Sequence, residues 1–123
     1  MNVGEYQSRA YGHQPCWELV ADVYHRERFD ISVAYVKANR SIREMADAFR
    51  LALHQCEHGF KRTENPDDFC IVLLGRNEKI GIHHCGVWYD GKILHAEPTM
   101  VFYEDIGTVR ARYQLMEFWT HAD

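Results

Sequence analysis

The sequence predicts an α+β domain over residues 1–123, with N-terminal helices packed on an antiparallel β-sheet. Three observations carry that expectation. Apolar residues recur at three- and four-residue spacing through the first half, then switch to the continuous and alternating runs of strands. An Asp90-Gly91 pair stands between two strand-like runs, a strong two-residue hairpin signal. Helices first and strands after place the helices on one side of a sheet instead of interleaving them as crossovers.

Residues 1 to 13 read as an irregular lead-in, with a turn at Tyr11-Gly12. Pro15 suits the first turn of a helix, where its missing N–H costs nothing. Behind it Cys16, Leu19, Val20, Val23 and Tyr24 mark one buried helix face, and the helix is expected to end near Phe29. Ser41 followed by Glu44 forms a capping box for a second helix, with Gly59 as its stop. Its stripe of Ile42, Met45, Phe49 and Leu53 reads as core packing. After Asn65-Pro66-Asp67-Asp68, "FCIVLL" predicts a buried strand from Phe69 to Leu74. "KIGIHHCGVWYDGKILHAEP" is the hairpin, while "TMVFYEDI" and "RYQLMEFWTH" are further strand candidates.

Composition narrows the function. A formal net charge of -4, with Lys and Arg scattered among acids, argues against nucleic acid, because phosphate binding needs concentrated basic residues. No run approaches the roughly 20 apolar residues of a membrane span, and no secretory signal opens the chain. Synthesis in a reducing cytosol is therefore expected. Cys16, Cys56, Cys70 and Cys85 follow no disulfide framework and are expected as free thiols.

The turn allows a register argument. A two-residue loop pairs Tyr89 with Lys92, which sets Gly86 opposite His95 and His84 opposite Glu97. His84, Gly86 and Trp88 then share a face with Ile93, His95 and Glu97, while His83 and Cys85 point the other way. His84 and His95 become diagonal neighbours about 7–8 Å apart, within reach of long side chains. A thiol attacks a carbonyl as thiolate, which a helix N-terminus and a nearby imidazolium favour. Cys16 heads a predicted helix, so Cys16 as nucleophile, His84 as base and His95 as the group orienting the base form a candidate catalytic set.

"CWELVADVY" followed by "HHCGVWYDGKILHA" resembles the NlpC superfamily of papain-like cell-wall cysteine peptidases, closest in pattern to phage and prophage tail-tip modules. In that family a cysteine starts a helix, a histidine begins a strand, and a second polar residue follows about a dozen positions on. The matching positions are Cys16, His84 and His95, and "DDFCIVLL" resembles the strand before the histidine strand. Tyr11 resembles the family's tyrosine at the oxyanion site. Pro15-Cys16-Trp17-Glu18 replaces the common Asp-Cys-Ser-Gly, Cys85 replaces a β-branched residue, and Arg28 to Gly59 align with nothing. The resemblance implies a papain-like fold and hydrolysis of peptidoglycan stem peptides, at the bond between D-glutamate and a diamino acid. It also implies phage tail proteins as partners, action at the cell wall, and no metal or other cofactor.

Two other classes compete. A silent NlpC-like domain used for binding or tail assembly would keep the fold without the chemistry, and acyl transfer or deamidation would use the same residues. A zinc module could draw on His54, Cys56 and His58 with His83, His84 and Cys85. Residues two apart on a helix do not share a face, which weighs against that set.

Overall fold

The computed structural model describes residues 1–12, 14–31, 42–55 and 59–121. The expected cap at Ser41 lies outside them, as do Cys56, His58 and the side chains of Ile42 and His54. The architecture is α+β, with helices against a six-stranded antiparallel sheet.

The lead-in departs from expectation. Val3–Gln7 form a short helix, α1, that buries Tyr6. One turn is too short to show a period, and so short a helix depends on burial of its apolar residue instead of on propensity. Helix α2, Pro15–Glu27, buries Cys16, Leu19, Val20, Val23 and Tyr24 as the spacing requires. Helix α3 runs Ile42–Gln55 and buries Met45, Phe49 and Leu53. Beyond it Gly59 takes φ +64°, the left-handed conformation that a helix exit favours.

Strand β1, Phe60–Thr63, has no counterpart in the sequence reading: it is four residues long, and only Phe60 is buried. Strand β2, Ile71–Gly75, begins two residues later than "FCIVLL" suggested, because Phe69 adopts φ +72° at the exit from the Asp67-Asp68 turn. Strands β3, Ile82–Tyr89, and β4, Lys92–Ala96, are the hairpin, with Asp90 at φ +50° and Gly91 at φ +77°. Positive φ at both turn residues is the type I′ geometry that matches strand twist. Strand β5 is Val101–Asp105, α4 is Ile106–Arg110 capped by the Asp105 carboxylate, and β6 is Leu115–His121. The sheet order is β1-β6-β2-β3-β4-β5.

Both faces of the central strands are covered. Ile71, Leu73, Cys85, Val87, Leu94 and Ala96 pack with the buried residues of α2 and α3 in the main core. Val72, Leu74 and Ile93 form a second cluster with Val109 and Tyr113, contributed by α4 and the turn after it. That is why every residue of β2 is buried and why its sequence is an unbroken apolar run.

The hairpin register follows the turn: Tyr89 pairs with Lys92, Trp88 with Ile93 and Val87 with Leu94. Gly86 lies so close to β4 that a Cβ there would sit 2.7 Å from Leu94 O and 2.9 Å from His95 Cβ. Gly86→Ala is therefore expected to lower stability by about 1–3 kcal/mol, the usual cost of overpacking, read as a fall in the urea midpoint. An unchanged midpoint would show that the two strands have slack.

Candidate active site

Cys16 is the second residue of α2, and its neighbours explain why the helix begins there. Pro15 occupies the first turn, and the Glu18 carboxylate accepts the backbone N–H groups of Gly12 (3.0 Å) and Gln14 (2.8 Å). The lead-in is thus folded back onto the helix start. First-turn N–H groups have no intrahelical acceptor, so an anion beside Cys16 meets donors and the positive end of the dipole.

The β3–β4 ladder ends at Val87 and Leu94, and His84 and Cys85 lie beyond it, toward the start of β3. There α2 packs against β3, and the Cys16 thiol lies beside Cys85 and His84, both of which act on its ionisation. His84 Nε2 meets His95 Nδ1 at 2.9 Å, and His95 Nε2 meets Glu104 Oε1 at 2.8 Å. Arg112 holds Glu104 through contacts of 2.5 and 3.3 Å. Tyr113 stacks on the His84 ring at 5.2 Å between centroids and donates its hydroxyl to Glu97 at 3.1 Å.

This chain assigns the tautomers. Ionised Glu104 only accepts, so His95 carries its proton on Nε2 and presents the Nδ1 lone pair. His84 must then donate from Nε2, which leaves its Nδ1 lone pair as the acceptor for the Cys16 proton. The electrostatics agree. Arg112, against the opposing effect of burial, holds the Glu104 carboxyl below its ordinary value, with His95 adding to the effect. Burial, then the neighbouring His84, lowers His95 and keeps it neutral.

The Cys16 thiol is pulled well below its ordinary value by the Cys85 hydrogen bond, against burial, with further help from His84. Cys85 moves the other way, raised by burial and then by the adjacent Cys16. The two thiols are thus pushed in opposite directions, Cys16 toward the thiolate and Cys85 toward the thiol.

Cys16, His84, His83, Arg76, Glu97 and Tyr113 line a cleft of about 340 Å³. A larger concavity of about 600 Å³ lies among Arg62, Glu64, Arg110, Glu117 and Phe118, but it brings no thiol or imidazole to its wall. The smaller cleft is the one that gathers the thiol and imidazoles.

Of the residues picked from sequence, Cys16, His84 and His95 come together. Tyr11 does not join them: its hydroxyl donates to Asp22 Oδ2 at 2.8 Å, six residues along α2 from the thiol, or about 9 Å of helix rise. It lines a neighbouring recess with Arg9 and Met100. His83 reaches the cleft, but its Nε2 accepts the Arg76 N–H at 3.2 Å. Cys85 was expected to point away from the chemistry. Its side chain does take the opposite face from His84, but α2 lies on that face, so Cys85 is the thiol's direct partner. Glu104, Arg112 and Tyr113 join the site with no motif in the sequence that marks them. No protein-family model, curated protein or solved structure matches this chain.

Proposed function

We propose that the protein is a cysteine hydrolase of the papain-like NlpC kind that cleaves amide bonds in peptidoglycan stem peptides. One observation carries the chemistry: a continuous chain from Arg112 through Glu104, His95 and His84 ends on a thiol at a helix N-terminus in an open cleft. The pattern around Cys16, His84 and His95 supports the substrate class, with the bond between D-glutamate and a diamino acid as its target. The setting that goes with it is a phage or prophage tail protein opening the wall locally.

The Cys16 thiolate attacks the scissile carbonyl carbon, and the oxyanion is met by the first-turn amides of α2. His84, protonated on Nδ1, gives that proton to the leaving amine as the C–N bond breaks, and a thioester remains. Water then attacks the thioester while the Nδ1 lone pair takes one of its protons, the C–S bond breaks, and the carboxylic acid leaves with the Cys16 thiolate and the protonated His84 restored. Throughout, His95 and Glu104 hold the Nε2 side of the ring.

Mass spectrometry of purified muropeptides, incubated with the wild type and with Cys16→Ala, tests the reading. The wild type is expected to split stem peptides with the mass gain of water, and Cys16→Ala to leave them intact. Intact muropeptides with both proteins, while Cys16 still reacts as a low-pKa thiol, would remove peptidoglycan from the proposal. Equal cleavage by both proteins would remove Cys16.

A further inference from the structure

Glu97 takes no part in the thiol chemistry, yet its carboxylate converges on the two histidines. One ring nitrogen each of His84 and His95 and a carboxylate oxygen of Glu97 all lie within 4.8 Å of one another. The geometry points to a binding site for a divalent transition metal of the zinc class on His84 Nε2, His95 Nδ1 and Glu97, whose occupation silences the thiol. The binding claim stands on this cluster alone, while the silencing rests on the function proposed above.

The donor set selects the metal. Two imidazoles and one carboxylate suit zinc and its neighbours, whereas calcium and magnesium ask for oxygen ligands. The space is nearly present. Zinc–nitrogen bonds of about 2.0–2.1 Å set two nitrogens of a tetrahedral site roughly 3.3–3.4 Å apart. The His84–His95 pair stands at 2.9 Å, so the rings need to part by about 0.4 Å. Glu97, half-buried and just past the end of β4, supplies the remaining movement.

The surroundings point the His95 lone pair inward. Glu104 accepts the His95 Nε2 proton and so commits His95 Nδ1 to an acceptor role toward this space. Carboxylate–histidine pairs of that kind orient metal-binding imidazoles, and Arg112 fixes the carboxylate. The Tyr113 hydroxyl donates to Glu97 and steadies it.

Silencing follows from the proton count. A metal on His84 Nε2 displaces the proton there to solvent and leaves the other ring proton on Nδ1, beside the Cys16 thiolate. Giving that Nδ1 proton to a leaving amine would leave a metal-bound imidazolate, so the acid step fails. The thiolate is still there to be alkylated.

Calorimetric titration of the full chain with zinc(II), after removal of metal by EDTA and dialysis, tests the site. One zinc per chain is expected, with affinity falling at least about tenfold in Glu97→Ala and about 10–100-fold in Glu104→Gln, where an outer partner is lost. Glu97→Gln is a second variant that keeps the side chain's shape, and thermal midpoints in EDTA report whether each variant folds. Zinc-loaded wild type is expected to lose turnover while iodoacetamide still labels Cys16. The absence of saturable binding, or unchanged affinity in the folded Glu97 variants, would overturn the site. Binding that disappears in Cys16→Ser and shields Cys16 from iodoacetamide would place the zinc on the thiol instead, and stimulation of turnover by zinc would overturn the silencing. Metal-free labelling and turnover judge the hydrolase reading separately.

Discussion

Replacing His84 with alanine is expected to lower turnover by about 10²–10⁴-fold, the usual scale of general acid–base catalysis, and by more if the thiolate is lost with it. His84 is the ring that lowers the thiol and is hydrogen-bonded to His95, so its removal takes away the proposed acceptor and acid and part of the field that favours the Cys16 thiolate. His95→Ala is expected to cost less, because His95 acts only by holding Nε2 of the base. Its signature is a shifted pH profile, and Glu104→Gln, one bond further back, is expected to shift the profile in the same direction by a smaller amount. His83→Ala is the control within the cleft: its ring accepts a backbone N–H and is not bonded to the thiol. Single-turnover rates on a stem-peptide substrate decide the ranking. A dead His83→Ala beside a competent His84→Ala, both well folded, would move the base to His83.

Alkylation rates give the second large effect. At about pH 6.5, iodoacetamide is expected to label Cys16 well before Cys70 or Cys85, read by peptide mapping in a Cys56→Ser background. The sign follows from the shifts. Cys16 is held low and is ionised near neutrality, whereas burial raises both Cys70 and Cys85 and keeps them protonated. Each pKa unit between two thiols is tenfold in thiolate below both values, and the preference shrinks as the pH climbs from the lower value toward the higher and is gone above it. Labelling of Cys16 falls as pH drops through its lowered pKa. Cys85→Ala removes the first cause of that lowering, so the labelling midpoint is expected to move up. Equal labelling of the three thiols in the folded protein would sink the nucleophile assignment, and an unmoved midpoint in Cys85→Ala would remove Cys85 from the site.

The hairpin was legible because a two-residue turn counts registers without ambiguity, and everything from Tyr89–Lys92 to the His84–His95 diagonal follows from it. Glu104 sits on the same kind of diagonal: Ile93 pairs with Glu104 and His95 with Phe102. Yet the link from Ala96 to Val101 has no turn chemistry that sets a register, so Glu104 could not be assigned. The place of Cys85 departs from expectation for another reason. Alternation along a strand says which residues share a face, but not which face a distant helix will cover. Helix α2 covers the Cys85 face, so Cys16 comes to His84 around the end of the β3–β4 ladder instead of across one face. Strand β1 escaped because four residues, two of them exposed and basic, carry no pattern. Tyr11 was carried over by family likeness alone, and its bond to Asp22 turns it elsewhere.

The place of β6 in the sheet bears on how the chain comes to be folded as it is made. Phe60 pairs with His121 and Ile71 with Trp119, so among the described residues β1 joins the sheet through β6, the strand furthest along the sequence. Until a ribosome has synthesised past Leu115, β2 exposes a bare hydrogen-bonding edge made of Ile71, Val72, Leu73 and Leu74. A nascent chain paused before that point presents an apolar edge strand, the kind of surface that pairs with other chains and attracts chaperones. The β3–β4 hairpin, by contrast, closes locally and early. The elements that carry His84 and His95 can therefore pair while the sheet beside them is still open.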